Sequence, residues 1–411
     1  MEKRAVPLLS FLLQKHRRCG TIKGKKKERG IALKKRLGIY VHIPFCVQKC
    51  FYCDFCSVAG AEGSVMVRYG EELCRRIAQE SDRLSDRLVD TIYFGGGTPT
   101  LLPIEVLSRI IETIRASCEI SDECEITCEC NPATADEERF RALRALGVNR
   151  ISIGLQSVHD DELRRLGRIH TYEDFRKTFS DARAAGFDNI SVDLMYALPD
   201  QTLSRFEESI VCVAELSPEH ISLYGLKIEE GTPFWAQRGQ LTLPDEDSEL
   251  AMYLACSEIL SKYGYHKYEI SNFSKKGYES RHNLRYWHGE EYLGFGVAAH
   301  SYFEDERFGN SRDLAAFLRG EDIVEECVRL DAREKRNEYL MLRLRLSEGI
   351  DEQELMTRFD LSFDELSPSL TLWIAHGFLK KEGSRISFTD RGFFVSNAML
   401  SELLAFDEKN C

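Results

Sequence analysis

From Leu37 onward, short runs of β-branched, aromatic and other apolar residues alternate with longer stretches whose apolar positions recur every three to four residues. The short runs are GIYVHI (38–43), DTIYFGGG (90–97), CEITCEC (124–130), NRISIGLQ (149–156), NISVDLMYAL (189–198) and HISLYGLKI (220–228), and they predict strands. Between them, amphipathic stretches at 103–117, 136–146, 171–186 and 202–216 are each long enough for a crossover helix. Six βα units in series predict an α/β domain over 37–230 with a parallel sheet, open or curled into a barrel. A region at 231–332 follows. The last segment, 333–411, predicts two helices, a β-turn-β element (379–388) and a final helix, an α+β unit like a winged helix.

The residues with distinctive chemistry gather where the predicted strands end, which is where parallel barrels place function. Strand one runs into Cys46, Cys50 and Cys53 in CVQKCFYC. Thiolates are soft ligands, and three on a short curled loop suit one face of an iron-sulfur cluster, leaving a fourth iron without a protein ligand. A structural zinc site instead closes its shell with four N or S ligands. Strand two ends in Gly95, Gly96, Gly97, Thr98 and Pro99, strand three in Glu129, Cys130, Asn131 and Pro132, and strand four in Gln156 and Ser157; strand five carries Asp193. Consecutive glycines let backbone approach a ligand with no Cβ in the way. Glu129 and Asp193 can accept hydrogen bonds from hydroxyls or an ammonium, and Arg168 in LGRIH can hold a carboxylate. Singly, each is equally a helix cap or a surface charge; their shared position favours a site.

Charge divides the chain. Residues 1–36 carry 13 Lys and Arg against two Glu, leaving 42 Lys and Arg against 65 acidic residues afterwards. The basic stretch has little to bury and is expected to be a disordered, solvated extension; a weak contact with a membrane surface and a mitochondrial-type presequence stay open. No apolar run approaches the roughly 20 residues of a membrane span. The 14 cysteines show no small-domain disulfide framework and are expected to be reduced thiols in a cytoplasmic protein. Cys118, Cys124, Cys128 and Cys130 are expected to pack as small hydrophobes rather than hold a second metal. In the last segment KKEGSR is balanced by many acids, which argues against nucleic acid and for a packing or partner role.

The cysteine spacing, with Tyr52 before the third cysteine, resembles the signature of the radical S-adenosylmethionine (SAM) superfamily. YVHIPFCVQKCFYCDF, FGGGTPT, ECNP, IGLQS, LGRIH, VDLMYALPDQT and GFGVAAHSY together resemble the family of oxygen-independent coproporphyrinogen III oxidase and its heme-chaperone relatives, over roughly residues 37–410. The resemblance implies a partial, six-stranded (β/α) barrel resembling a TIM barrel. It implies that Cys46, Cys50 and Cys53 bind a 4Fe-4S cluster whose open iron takes SAM. Tyr40, Gly96 and Glu129 would contact that SAM; Gly97, Thr98, Gln156, Arg168 and Asp193 would match further SAM-touching positions.

Two features separate the branches of this family. The oxidase has another cysteine two residues after the third ligand, where this chain has Phe55; Cys56 is one position further on. RHNLRYWHG (281–289) matches the H-N-x-x-Y-W element of the heme-chaperone branch at His282, Asn283, Tyr286 and Trp287. A neutral imidazole at His282 can bind heme iron, Asn283 can orient it, and Tyr286 and Trp287 offer flat apolar area. Arg281 or Arg285 can pair with a propionate. His42, His266, His288 and His300 compete as ligands, His300 most closely. The expectation is therefore a heme chaperone that binds heme and passes it to acceptor apoproteins. The alternative is the oxidase, which decarboxylates coproporphyrinogen propionates by radical chemistry. Whether SAM is cleaved, and whether the protein forms a homodimer, stay open.

Overall fold

Each predicted strand forms, and each lies next to its predecessor. In the computed structural model, which describes residues 34–367 and 369–409, the strands are β1 (Lys35–Ile43), β2 (Arg87–Gly96), β3 (Glu119–Cys130), β4 (Arg150–Gln156), β5 (Ile190–Tyr196) and β6 (His220–Gly225). All five neighbouring pairs are parallel. The crossovers carry α1 (Gly63–Gln79), α2 (Ile104–Ser117), α3 (Glu137–Ala145), α4 (Tyr172–Ala184) and α5 (Leu203–Glu215). Starts are set by side chains: Asp136 caps α3, Thr202 caps α5, and Thr171 with Asp174 forms a reciprocal capping box on α4. The basic extension lies outside the described residues up to position 33; Lys35 and Arg36 already belong to β1.

Alternation along the strands sorts the faces. In β1, Leu37, Ile39, Val41 and Ile43 are fully buried and join one apolar core with Leu73 of α1 and Leu107 of α2. Gly38, Tyr40 and His42 point the other way, into the barrel, where the lining is polar. Tyr40 stacks on Tyr93, Tyr93 donates to Glu129, and Ser152 donates to Asp193. A one-residue slip in any strand would exchange these two sets, so the apolar core fixes the register of the polar lining.

The barrel stays open. β6 pairs antiparallel with β8 (Asn272–Ser274), itself flanked by β7 (His266–Lys267). At the other edge β9 (Tyr292–Phe295) runs parallel to β1, followed antiparallel by β10 (His300–Phe303), β11 (Glu306–Asn310) and β12 (Val324–Arg329). The result is one twelve-stranded sheet whose middle is the predicted six-stranded partial barrel. The stretch from 231 to 332 extends that sheet at both edges and adds α6 (Glu246–Lys262) and α7 (Arg281–His288).

The C-terminal unit is α8 (Ala332–Arg343), β13 (Ile350–Asp351), α9 (Glu352–Phe359), α10 (Ser369–Ala375), β14 (Leu379–Glu382), β15 (Arg385–Phe388) and α11 (Asp390–Lys409). Its three strands lie in the order β13-β15-β14, the expected winged-helix-like pattern. Lys267 of β7, nearly buried, meets Asp390 at 2.6 Å, and Glu269 bridges to Leu346, so the unit docks on the β7 edge. No described helix is long and apolar enough to cross a membrane.

Candidate functional site

The cysteine loop is held at several points. Phe45–Cys46 pairs with Val58–Ala59, Gly60 N–H donates to the Cys46 carbonyl, and Phe51 N–H donates to the Leu166 carbonyl. Cys46, Cys50 and Cys53 are free thiols, partly exposed, at the C-terminal ends of the strands. Burial pushes the Cys46 and Cys53 thiols up. No three described His, Cys, Asp or Glu side chains group around a point that would hold a single metal ion.

Two of these thiols are joined by a chain of side chains from three other strand ends. Thr98 Oγ1 donates to Cys46 Sγ at 3.8 Å and accepts from Asn131 Nδ2 at 2.6 Å; Arg168 donates to Asn131 Oδ1 at 2.8 Å and to Cys50 Sγ at 3.4 Å. Arg168 also donates to the Gly154 carbonyl, and its Nε is buried without a partner. Donors thus face the sulfurs, the arrangement that stabilises thiolates. The sequence placed Thr98 and Arg168 in the site. It left Asn131 unassigned, although ECNP at a strand end was the available signal.

Beside this chain Glu129 stands at the end of β3. Its carboxylate accepts from Tyr93 Oη at 2.8 Å and from Gly96 N–H at 3.0 Å. Burial pushes it up to about 7, so it exchanges a proton near neutrality. Asp193 is raised as well, again by burial. Gly96 has φ +110, and a Cβ there would strike the His42 ring; a Cβ on Gly97 would lie 2.6 Å from the Phe45 carbonyl oxygen. Gln156 takes φ +75 at an irregularity between β4 and β5, and its Nε2 sits in the corner with Arg168 and Asn131. A non-glycine residue held there is strained backbone at a candidate site. Tyr40, Gly96, Gly97, Thr98, Glu129, Gln156, Arg168 and Asp193 are therefore all on the barrel interior or its C-terminal rim.

A fit to the cluster and cofactor can be tested on these features. The three thiols are unpaired by disulfides. The glycines at 96 and 97 keep the space beside the loop clear of side chains. An arginine with an orphaned Nε and a buried carboxylate line the same space. The residues present fit the donor and acceptor demands of an amino-acid head group near a thiolate-bound cluster.

The H-N-x-x-Y-W element lies elsewhere. It forms α7, begun by a Ser280 cap, and the carboxylate of Glu125 accepts the N–H groups of Arg281 and His282. His282 is 1% exposed, and both ring nitrogens are engaged, with Thr91 Oγ1 at 2.9 Å and Tyr286 Oη at 2.8 Å. Burial, then Arg285 and Arg150, lower its pKa to about 3. Tyr93 stacks above it at 5.2 Å and Tyr286 packs edge-on to Tyr292. α7 leads directly into the start of β9, which runs parallel to β1 from the Gly38–Tyr292 pair, and its Arg285 reaches Asp90 in the first half of β2, so α7 closes the barrel at the end opposite the cysteines. Trp287 is half-buried against the main core. The Asn283 N–H donates to the Ser280 hydroxyl. Arg285 pairs with buried Asp90. The structure thus brings His282 and Tyr286 together but does not bring this element to the cysteine face.

Of the rival histidines, His42 is buried and bonded through both nitrogens, to Tyr40 and the Cys56 carbonyl. His266 and His288 pair with Glu279 and Glu348. His300 is exposed. Cys124, Cys128 and Cys130 are buried and each thiol donates to a backbone carbonyl. Phe55 is 66% exposed beside the third cysteine.

Comparison with known proteins adds the following. Residues 40–212 match the Radical SAM superfamily and residues 330–395 the HemN C-terminal domain. The chain is 35% identical over 376 residues to "Heme chaperone HemW" of Bacillus subtilis (strain 168), covering 89% of this chain and 98% of that protein. Identity to "Heme chaperone HemW" of Escherichia coli (strain K12) is 35% over 374 residues, covering 90% and 98%. It is 34% identical over 367 residues to "Radical S-adenosyl methionine domain-containing protein 1, mitochondrial" of Mus musculus, covering 84% and 79%. Among solved structures, coproporphyrinogen III oxidase (HemN) from Escherichia coli superimposes with a TM-score of 0.80 over 91% of both chains at 24% identity, a likeness of fold.

Proposed function

The chain belongs to the heme chaperone HemW family of the radical SAM superfamily, and on that premise we propose that it binds heme and transfers it to acceptor apoproteins. The observation that carries this reading is similarity along nine-tenths of the chain to relatives bearing that name. Phe55, in the position where the oxidase has a cysteine, agrees with it. The oxidase structure shares the fold at 24% identity, which carries no activity.

The superfamily implies a 4Fe-4S cluster and SAM. In our reading Cys46, Cys50 and Cys53 hold the cluster, whose open iron supplies a chelation point for the amino and carboxyl groups of SAM. Thr98 and Arg168 each direct a donor at one of the thiolates, and Asn131 holds both of them in place. Gly96 and Gly97 leave room for the methionine part. Glu129 accepts a hydrogen bond when ionised and donates one when protonated, a choice its pKa of about 7 keeps within reach. Gln156 and Asp193 offer further polar contacts, and Tyr40 forms the wall beneath.

A heme role for His282, Asn283, Tyr286 and Trp287, implied by the H-N-x-x-Y-W element, is a second and competing reading with a structural condition. For His282 to ligate iron, α7 must release it from Thr91 and Tyr286, two buried hydrogen bonds of about 1 kcal/mol each net and more if the partners stay dry.

The test is to reconstitute the cluster anaerobically, titrate hemin and follow the Soret band, then mix with apomyoglobin as a model acceptor and follow heme transfer. A separate sample receives coproporphyrinogen III, SAM and a reductant. Stoichiometric hemin binding and transfer without porphyrin product supports the chaperone. Porphyrin product overturns it.

A further inference from the structure

Building on the chaperone reading, we infer that His300, not His282, supplies the imidazole that ligates the heme iron, at the rim of the barrel beside the cysteine loop. Strand register carries the argument. Tyr40 of β1 pairs with Gly294 of β9, Tyr292 pairs with Tyr302, and His300 pairs with Gly309. Side chains two residues apart share a face, so His300 and Tyr302 stand on the same face of the sheet as Tyr40, the face that lines the barrel. The neighbours of His300 in that row, Gly294 and Gly309, have no side chains, and a Cβ on Gly309 would press on the imidazole at 2.8 Å. The missing side chain at Gly309 thus leaves the exposed imidazole room to lie against the sheet.

The imidazole is also available. Among the described histidines, seven spend at least one ring nitrogen on a protein partner, His42, His220 and His282 both. Only His300 and His376 make no hydrogen bond through the ring, and His376 sits in the C-terminal unit docked at the opposite, β7 edge of the sheet. Burial on one side, then Arg307 and Arg312, hold His300 below its ordinary value, so its lone pair is free at neutral pH. Iron gains the imidazole nitrogen in place of a water ligand, with no change of oxidation state.

Groups suited to the rest of a heme adjoin it. Arg312, near enough to His300 to perturb its charge, reaches the cysteine loop through Asp54 at 3.3 Å, and the Cys56 thiol donates to the Arg312 carbonyl. Its guanidinium is largely exposed, as a propionate partner needs. Next to Asp54, Phe55 presents its ring to solvent, and Lys49 lies on the same loop with its ammonium donating to the Phe55 carbonyl. Cation, apolar ring and free imidazole are the components that porphyrin recognition requires.

The experiment titrates hemin into the cluster-reconstituted full chain and into His300→Ala, His282→Ala, Cys56→Ser and His376→Ala, each checked for iron content and circular dichroism. His300→Ala is expected to lose the ligated Soret band and bind hemin at least about tenfold more weakly, the consequence of losing an anchor worth some 1.4 kcal/mol. Free imidazole restores the band, and iron-free protoporphyrin binds wild type and variant alike. His300 is exposed, so its loss leaves the fold intact even if His282→Ala does not fold. A His300→Ala spectrum identical to wild type, or a band abolished by Cys56→Ser instead, overturns the inference while leaving the chaperone standing. Wild type that binds no hemin removes the chaperone reading itself.

Discussion

Replacing Thr98 by valine deletes one hydroxyl while keeping nearly the same side-chain shape, and it breaks the chain of hydrogen bonds between Cys46 and Cys50. Two effects follow. Asn131 Nδ2, which donates to Thr98 at 2.6 Å, is left without an acceptor, at a cost of about 1–3 kcal/mol of stability. The Cys46 sulfur loses a side-chain donor, an O–H···S contact of 3.8 Å. A hydrogen bond to a charged group is worth about 1.5–3 kcal/mol, and the long distance argues for the low end. Because reduction adds negative charge to a cluster, such donors raise its potential. If the whole of about 1.5 kcal/mol were differential, the potential would fall by about 60 mV for a one-electron couple, which sets the ceiling. The assay is an electron paramagnetic resonance redox titration of reconstituted wild type, Thr98→Val and Asn131→Ala, at equal iron content. Thr98→Val is expected to fall furthest. Asn131→Ala falls less, because Thr98 keeps its hydroxyl. Equal potentials for wild type and Thr98→Val at equal iron content would refute the reasoning.

Other expectations concern stability and loop packing. Burial pushes Glu269 up to about 7. Its folded value lies above its unfolded value, so the stability it contributes is fully present below about pH 4.5 and is lost as pH rises through about 7, by at most about 3 kcal/mol. Glu269→Gln should flatten that loss, seen by urea unfolding at about pH 5 and about pH 8; an unchanged pH slope counts against it. Gly97→Ala should abolish iron incorporation, because its Cβ meets backbone oxygens of Phe45 and Ile43. Gly60→Ala, at φ +66 in open space, should lose about 1–2 kcal/mol and still take up iron. His282→Ala should lower unfolding stability by about 2–5 kcal/mol through lost packing and orphaned Thr91 and Tyr286 hydroxyls, with a urea midpoint equal to wild type as the contrary result.

Much of this was legible in the residues because parallel strands announce themselves twice, by an apolar run and by what stands at its end. Ile39, Val41 and Ile43 mark the first strand, and the three cysteines mark its functional end. Thr171 and Thr202 begin their helices where side-chain capping dictates. Less legible were contacts that depend on which strands become neighbours. Tyr292–Phe295 is too short to announce that it runs parallel to β1, and that pairing is what sets His300 beside the barrel. HNLRYW read as a ligand set because its residue types suit a porphyrin, yet the same types suit a polar lid: His282 satisfies Thr91 and Tyr286, and Arg285 satisfies Asp90. Asn131 was marked only by its place in ECNP at a strand end, and its role stayed hidden because an amide acts here only through partners supplied by β2 and by the loop after β4.

With α7 stoppering one end, the cysteine loop stands at the other. A small molecule entering at that end passes the cysteine loop on its way to Glu129. If SAM and heme both bind at that end, as proposed, a planar guest lying across it would trap the smaller molecule beneath, and binding would run in order: the nucleoside cofactor first, the tetrapyrrole second. Departure must then run in reverse, which would make release of the small molecule report on delivery of the large one.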